Sequence, residues 1–135
     1  MTQSQAEQVS SNIYIANCHL PQPTLTRTVV LGTPNSNGHI REQYGSVMVY
    51  PVQVTWSGSC SGHPAGPQQT DQYDTIQARY TASYYKDQFG NWTHTPFVGS
   101  CSWVHRSYQP NGSAAIAIPN SHPETCGIAD TVNDN

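Results

Sequence analysis

Six histidines in 135 residues are the side chains of this sequence best suited to acid–base or metal chemistry. None of them forms the His-x-x-x-His pair of a helical zinc site, so we predict no metal and no cofactor. His94 and His105 fall on neighbouring predicted strands, where they could meet across a sheet. Such a pair could bind a metal, or could act as acid and base with a carboxylate such as Asp74 in a small hydrolase. The alternative, which we favour, is that the histidines are polar surface or turn residues.

Two further patterns resemble catalytic motifs. Asp71 and Asp74 are the one close carboxylate pair, as glycoside hydrolysis requires, but they precede a strand in a Pro- and Gln-rich loop, where aspartate usually caps a turn. Residues 58–62, "GSCSG", have the form of a nucleophile elbow around Cys60. That device needs a helix after the nucleophile, and a Pro- and Gly-rich loop follows instead. We therefore predict no catalytic residue at either place.

The four cysteines form an even set without Cys-x-x-Cys spacing, as expected of two disulfides. Three pairings are possible. The repeated tetrapeptide Gly-Ser-Cys-Ser around Cys60 and Cys101 suggests that two equivalent strand ends face each other. We therefore predict a Cys60–Cys101 bridge and a Cys18–Cys126 bridge.

Residues 80–95, "YTASYYKDQFGNWTHT", concentrate aromatic side chains in a predicted hairpin. By parity, Tyr80 and Tyr84 belong to the core. Tyr85 lies on the polar side of the strand, and Phe89 and Trp92 lie at or near the turn. These last three are the predicted ligand-binding residues, because exposed rings with polar neighbours can stack on sugars or contact a partner. The alternative is that Trp92 packs across the strand pair.

Composition restricts the partners. Charged residues make up 10% of the chain, the net charge is −3, and the five cations are scattered, which argues against nucleic acid as a partner. No apolar run is long enough to span a bilayer.

The first twelve residues lack a signal-peptide pattern, so the protein is either intracellular or a mature form. The cysteines and the sequons at Asn91 and Asn111 favour a secreted glycoprotein.

Strand periodicity dominates the chain. Alternating apolar residues between 46 and 56 and between 75 and 85, with several shorter runs separated by Pro and Gly, predict an all-β fold, a small antiparallel sandwich or barrel. We predict a single domain over residues 12–127, flexible segments over 1–11 and 128–135, and at most one helical turn, near 70–75. Pro51 predicts an edge or a bulge within its strand.

The heptapeptide "NIYIANC" at 12–18, followed by "VTWSGSC" and "YTASYYKDQFGNW", is similar to small secreted cysteine-containing β proteins of filamentous fungi, many of them effector-like. The resemblance implies secretion, disulfides and a β-fold, and it implies no reaction. Our first hypothesis is a secreted, non-catalytic protein that binds carbohydrate or a cell-surface or host partner. The alternatives are the hydrolase above and a self-assembling extracellular protein, and the oligomeric state is left open.

Overall fold

The computed structural model describes residues 1–16, 18, 25–36, 38–45, 47–61, 70–111, 114–117 and 122–130. In these ranges the chain forms helices α1 (Gln3–Val9) and α2 (Gly38–Tyr44). The strands are β1 (Ile13–Ile15), β2 (Leu25–Leu31), β3 (Asn35–Ser36), β4 (Met48–Ser61), β5 (Thr70–Lys86), β6 (Trp92–His94), β7 (Val98–Asn111), β8 (Ala114–Ala117), β9 (His122–Thr125) and β10 (Ile128–Asp130).

The body of the protein is an antiparallel sheet in the order β2-β4-β5-β7-β8. Three short strands extend it, since β3 pairs with β4, β6 with β5 and β9 with β7. A separate two-stranded sheet joins β1 to β10. The predicted all-β, antiparallel fold with two disulfides is confirmed.

One face of the large sheet, which we call the inner face, carries the core. Alternate residues of β4 and β5 point to it, as the sequence periodicity predicts. The small sheet and α1 cover this face, and their apolar residues belong to the same cluster. The most deeply buried members are Ala6, Ile15, Cys18, Val52, Val54 and Ile76. The opposite, outer face carries Thr55, Ser57, Gln77 and Arg79 and is largely polar.

A bulge in the middle of β5 keeps the inner face apolar along the whole strand. Between Asp74 and Gln77 the strand holds one residue more than either neighbour, so Tyr73 and Ile76 both face the core. Thr75, on the bulge, has φ of +53°, which is unusual for a β-branched residue. Alternation alone, without the extra residue, would put Tyr73 on the outer face.

Pro51 does not lie on an edge strand, because β4 has neighbours on both sides. The ladder between β2 and β4 ends at the Leu31–Val52 pair, one residue before Pro51. The Pro51 carbonyl still accepts a hydrogen bond from Gly32 N at 2.8 Å. Proline has no backbone N–H, so one hydrogen bond is missing at this position. Because Pro51 lies at the end of the β2–β4 ladder, the missing bond is a terminal one, and the interior of the ladder is intact.

The ends of the chain depart from the prediction of flexible segments. Residues 3–9 are helical, with a capping box between Thr2 and Gln5, and Ala6 is completely buried. Ile128 to Asp130 form β10 and pair with β1, whereas residues 131–135 lie outside the described ranges. The predicted helical turn near 70–75 is wrong, because these residues belong to β5.

The predicted disulfide pairing is also wrong. The bridges are Cys18–Cys60 and Cys101–Cys126, with Cα atoms 5.7 and 4.9 Å apart. Cys60 lies on β4 and Cys101 on β7, and β5 runs between them. Two strand spacings, about 10 Å, exceed the roughly 7 Å that a disulfide can bridge. Cys60 is oxidised and so cannot serve as the nucleophile of an elbow.

Gly99 allows β7 to approach β5 closely, and we predict that Gly99→Ala is strongly destabilising. A Cβ at this position would lie 1.8 Å from the Arg79 carbonyl oxygen and 2.7 Å from Tyr80 Cα. These are backbone atoms of the central strand, so we expect a loss of about 2–3 kcal/mol in the free energy of unfolding. Urea denaturation would measure it. Gly127→Ala is the matched control, because a Cβ there meets nothing within 4 Å. Equal stability of the two variants would contradict this account of the packing.

Candidate functional site

The structure separates the two histidines of the hydrolase hypothesis. His105 pairs with Tyr73 of β5, and His94 pairs with Tyr84 of the same strand. These two positions are eleven residues apart in sequence, which corresponds to roughly 35 Å along an extended strand. The expected meeting of His94 and His105 across the sheet is therefore wrong.

His105 and Asp74 are also kept apart, although they lie on adjacent strands. Side chains alternate along β7, so His105 points to the inner face and Arg106 to the outer face. Asp74 is on the outer face, where its Oδ2 lies 3.0 Å from Arg106 Nε and its Oδ1 accepts a hydrogen bond of 3.2 Å from Gln72. The carboxylate is thus part of a surface ion pair and does not serve as the partner of His105.

Glu124 of β9 is the carboxylate that contacts His105. Its Oε1 lies 3.1 Å from His105 Nδ1, and its Oε2 accepts a hydrogen bond of 3.3 Å from Trp103 Nε1. Tyr73 stacks on Trp103 and on His105, with ring centroids 3.8 and 4.7 Å apart. This cluster attaches β9 to β7 and closes one end of the core. Among the described residues, no group of three or more His, Cys, Asp or Glu side chains could hold a metal ion.

His94 has a structural environment at the other end of the sheet. Its ring lies 4.8 Å from Tyr84 and 5.2 Å from Phe97. Nδ1 is 2.7 Å from the Thr95 carbonyl oxygen. Because a carbonyl oxygen only accepts, Nδ1 carries the hydrogen and donates it. His94 therefore fixes the chain that follows β6.

Of the three predicted ligand-binding aromatics, Tyr85 is not available to a ligand. It is 9% exposed and packs with Ile40 of α2 and Val49 of β4 in a second, small core on the outer face. The alternation of β5 predicts its face correctly. The sequence analysis contains no helix over 38–44, and this helix covers the residue.

Phe89 stands at the tip of the hairpin and is 78% exposed. The tip is held by Asp87, whose Oδ1 accepts hydrogen bonds from Phe89 N at 2.8 Å and from Asn91 N at 3.0 Å. Gly90 supplies the positive φ, +81°, that the turn requires. Phe89 is thus a well-positioned exposed ring, but it does not line the groove described next.

Trp92 is half-buried against the edge of the core and lines an open groove of about 400 Å³ at the end of the inner face. The Tyr50 and Trp92 rings meet edge to face, with centroids 5.7 Å apart and an interplanar angle of 82°. Lys86 Nζ lies 5.3 Å from the centre of the Trp92 ring. We call this the Trp92 groove, and its lining residues are Met1, Gln5, Val47, Met48, Tyr50, Lys86 and Trp92.

The register of the strands explains why these side chains converge. Lys86 pairs with Trp92 between β5 and β6, and Tyr50 pairs with Tyr84 between β4 and β5. Met48, 49% exposed, begins β4 on the same face. The alternation of β4 assigns Tyr50 and Met48 to the core face, but the core does not extend that far. The alternation in the sequence does not show at which residue of β4 the core ends.

A second groove, of about 420 Å³, crosses the outer face. Its side chains come from three adjacent strands, and the pairs Ser57–Gln77 and Gln77–Ser102 align them into a row. The exposed lining residues are Ser57, Gln77, Arg79, Ser100 and Ser102, and Thr55 is half-buried. Among the described residues this surface offers hydrogen bonds but no exposed ring, so we regard the Trp92 groove as the better candidate site.

Comparison of the chain with protein-family models, with curated proteins and with solved structures finds no match. In the part of the chain that the structure describes, no helix is long and apolar enough to cross a membrane. The two disulfides are compatible with an extracellular protein.

The cluster around Glu124 predicts a structural role that can be measured. We expect Glu124→Ala to lower the free energy of unfolding by about 1–2 kcal/mol, because Trp103 and His105 both lose a hydrogen-bond partner at the edge of the core. Chemical denaturation at neutral pH would measure the loss. Glu42→Ala, at an exposed position on α2, should change it by less than about 0.5 kcal/mol. If the two substitutions were equivalent, Glu124 would not hold β9 in place.

Proposed function

We propose that this protein is a secreted, non-catalytic recognition protein that binds carbohydrate through the Trp92 groove. The observation that carries the proposal is the edge-to-face pair of Tyr50 and Trp92 beside an open groove of about 400 Å³. Aromatic faces of this kind receive the C–H surface of a sugar ring. The volume lies within the range of small-ligand sites.

The other lining residues support binding. Gln5 and Lys86 supply hydrogen-bonding groups at the rim, and Val47 and Met48 supply apolar contact. A mixture of apolar surface with a few polar groups is typical of sites that orient a ligand. In contrast, the carboxylates and imidazoles singled out as catalytic candidates are engaged elsewhere, Asp74 with Arg106 and His105 with Glu124.

The extracellular setting is supported by covalent structure. Both disulfides close long loops, spanning 42 and 25 residues, and each contributes about 3–4 kcal/mol on the chain-entropy model. Such bridges persist in oxidising compartments.

Self-assembly through strand edges is less well supported. β2 is an edge strand of the large sheet, and Arg27 on it points inward. Its guanidinium donates to the Ser10 carbonyl and lies 5.8 Å from the Trp56 ring centre, and partial burial lowers the pKa of Arg27. An inward-pointing charge on an edge strand disfavours further strand pairing.

We also propose that Asn91 carries an N-linked glycan. Asn91 is exposed at the hairpin tip, and its sequon continues through Trp92 and Thr93. The second sequon extends from Asn111 to residues 112 and 113, which lie outside the described ranges.

For glycosylation we expect the intact mass of protein secreted from a eukaryotic host to exceed that of the bare chain by one or more hexose-containing glycans. Asn91→Gln should remove one of them, since the acceptor amide is lost. Mass spectrometry before and after enzymatic deglycosylation makes the measurement. An unchanged mass in the variant would show that Asn91 is not an acceptor.

For carbohydrate binding we expect Trp92→Ala to weaken the best ligand of a glycan array by at least about tenfold, because the stacking face is removed. Calorimetric titration would give the affinities, and circular dichroism would check the fold. Phe89→Ala is the matched control, since it removes an exposed ring from the same hairpin outside the groove, and we expect a change below about twofold.

The proposal fails if no glycan on the array binds the wild-type protein. It also fails if the two aromatic substitutions weaken binding equally, because the hairpin tip and not the groove would then be the site.

A further inference from the structure

We infer that the Trp92 groove selects glycans that carry carboxylate groups, of which uronic acid chains are the plainest example. This inference rests on the proposed carbohydrate-binding function and specifies its ligand class. It is carried by the distribution of charge around the groove, which differs from that of the chain as a whole.

Positive charge is concentrated beside the groove. Lys86 is the single lysine of the sequence, and its ammonium lies 5.3 Å from the centre of the Trp92 ring. A third groove, of about 320 Å³, shares Val47 and Met48 with the Trp92 groove as lining residues, and Arg41 also lines it. Two of the five cations of the chain therefore line these two neighbouring grooves.

Negative charge is kept away from this surface, although the chain has a net charge of −3. No aspartate or glutamate of the described ranges lines either groove. Asp87 follows Lys86 in sequence, but its carboxylate accepts the Phe89 and Asn91 N–H groups within the turn. Glu7 on α1 accepts a hydrogen bond of 3.3 Å from Gln3.

The geometry suits a sugar with an acidic substituent. A pyranose ring stacked on Trp92 would bring its substituents near the Lys86 ammonium, which lies 5.3 Å from the centre of that ring. A carboxylate there would form a charge-assisted hydrogen bond, about twice as strong as a neutral one. Arg41, in the adjoining groove, offers a second cation to the next uronic acid unit of the bound glycan.

The long, flexible stem of Lys86 allows its ammonium to move from the Trp92 ring to a ligand at a small cost in free energy. Lys86 is exposed, so its ammonium stays hydrated and can turn from the ring to a ligand. Because the site is open to solvent, we expect each cation to contribute a selectivity of about threefold, which decreases as salt screens the attraction.

Hexagalacturonic acid and its fully methyl-esterified form provide the test, because they share a backbone and differ in charge. We expect calorimetric titration at low salt to give at least about tenfold tighter binding of the acid. Lys86→Gln should reduce this preference to about threefold or less. Arg79→Gln, which removes one positive charge from the outer face, is the matched control and should leave the preference unchanged.

Three other results would contradict the inference, and the three can be distinguished from one another. If the methyl ester binds as tightly as the acid, the groove binds sugar without selecting charge, and the proposed function stands alone. If Lys86→Gln and Arg79→Gln reduce the preference equally, the acid responds to overall charge and not to the groove. If neither oligomer binds and the glycan array is also negative, the carbohydrate function itself fails.

Discussion

The pairing of β4 with β5 is the constraint on which the rest of the structure depends. It is the longest ladder of the described structure, running from Tyr50–Tyr84 to Ser61–Gln72. The other strands of the large sheet attach directly or indirectly to this pair. A shift of one residue in its register would turn the core-facing side chains of one of the two strands to the outer face. If β4 turned, threonine and serine would replace Trp56 in the core, and if β5 turned, glutamine and arginine would replace Ala78.

The two ends of this strand pair have different surroundings, one forming the Trp92 groove and the other the stack around Tyr73. At one end Tyr50 and Lys86 leave the covered part of the inner face and reach the Trp92 groove. At the other end Tyr73 continues into the stack with Trp103 and His105. The first region remains open, because α1 contributes Gln5 only at its border. The second is closed, because β9 brings Glu124 over the stack.

Alternation in the sequence predicts the β-fold, the antiparallel arrangement and the core face of β4 and β5, because side-chain period and burial are local properties. It does not predict the bulge at Thr75, nor that β5 separates Cys60 from Cys101, because strand order is a long-range property. The capping box of Thr2 and Gln5 was a readable signal for α1. For the site, parity and turn position single out Trp92, whereas Tyr50 and the burial of Tyr85 depend on where the core ends and where α2 packs.

The small sheet of β1 and β10 has a mechanical consequence. Ile13 pairs with Asp130, so tension applied between these two residues would open the antiparallel pair one rung at a time and would pull Ile13 and Ile15 out of the core. Extension would then reach Cys18 and Cys126, where the load passes into the disulfides. The segments from Cys18 to Cys60 and from Cys101 to Cys126, with sequence separations of 42 and 25, would be shielded from stretching while the bridges are intact. The contour length of the stretched molecule is therefore limited by covalent bonds.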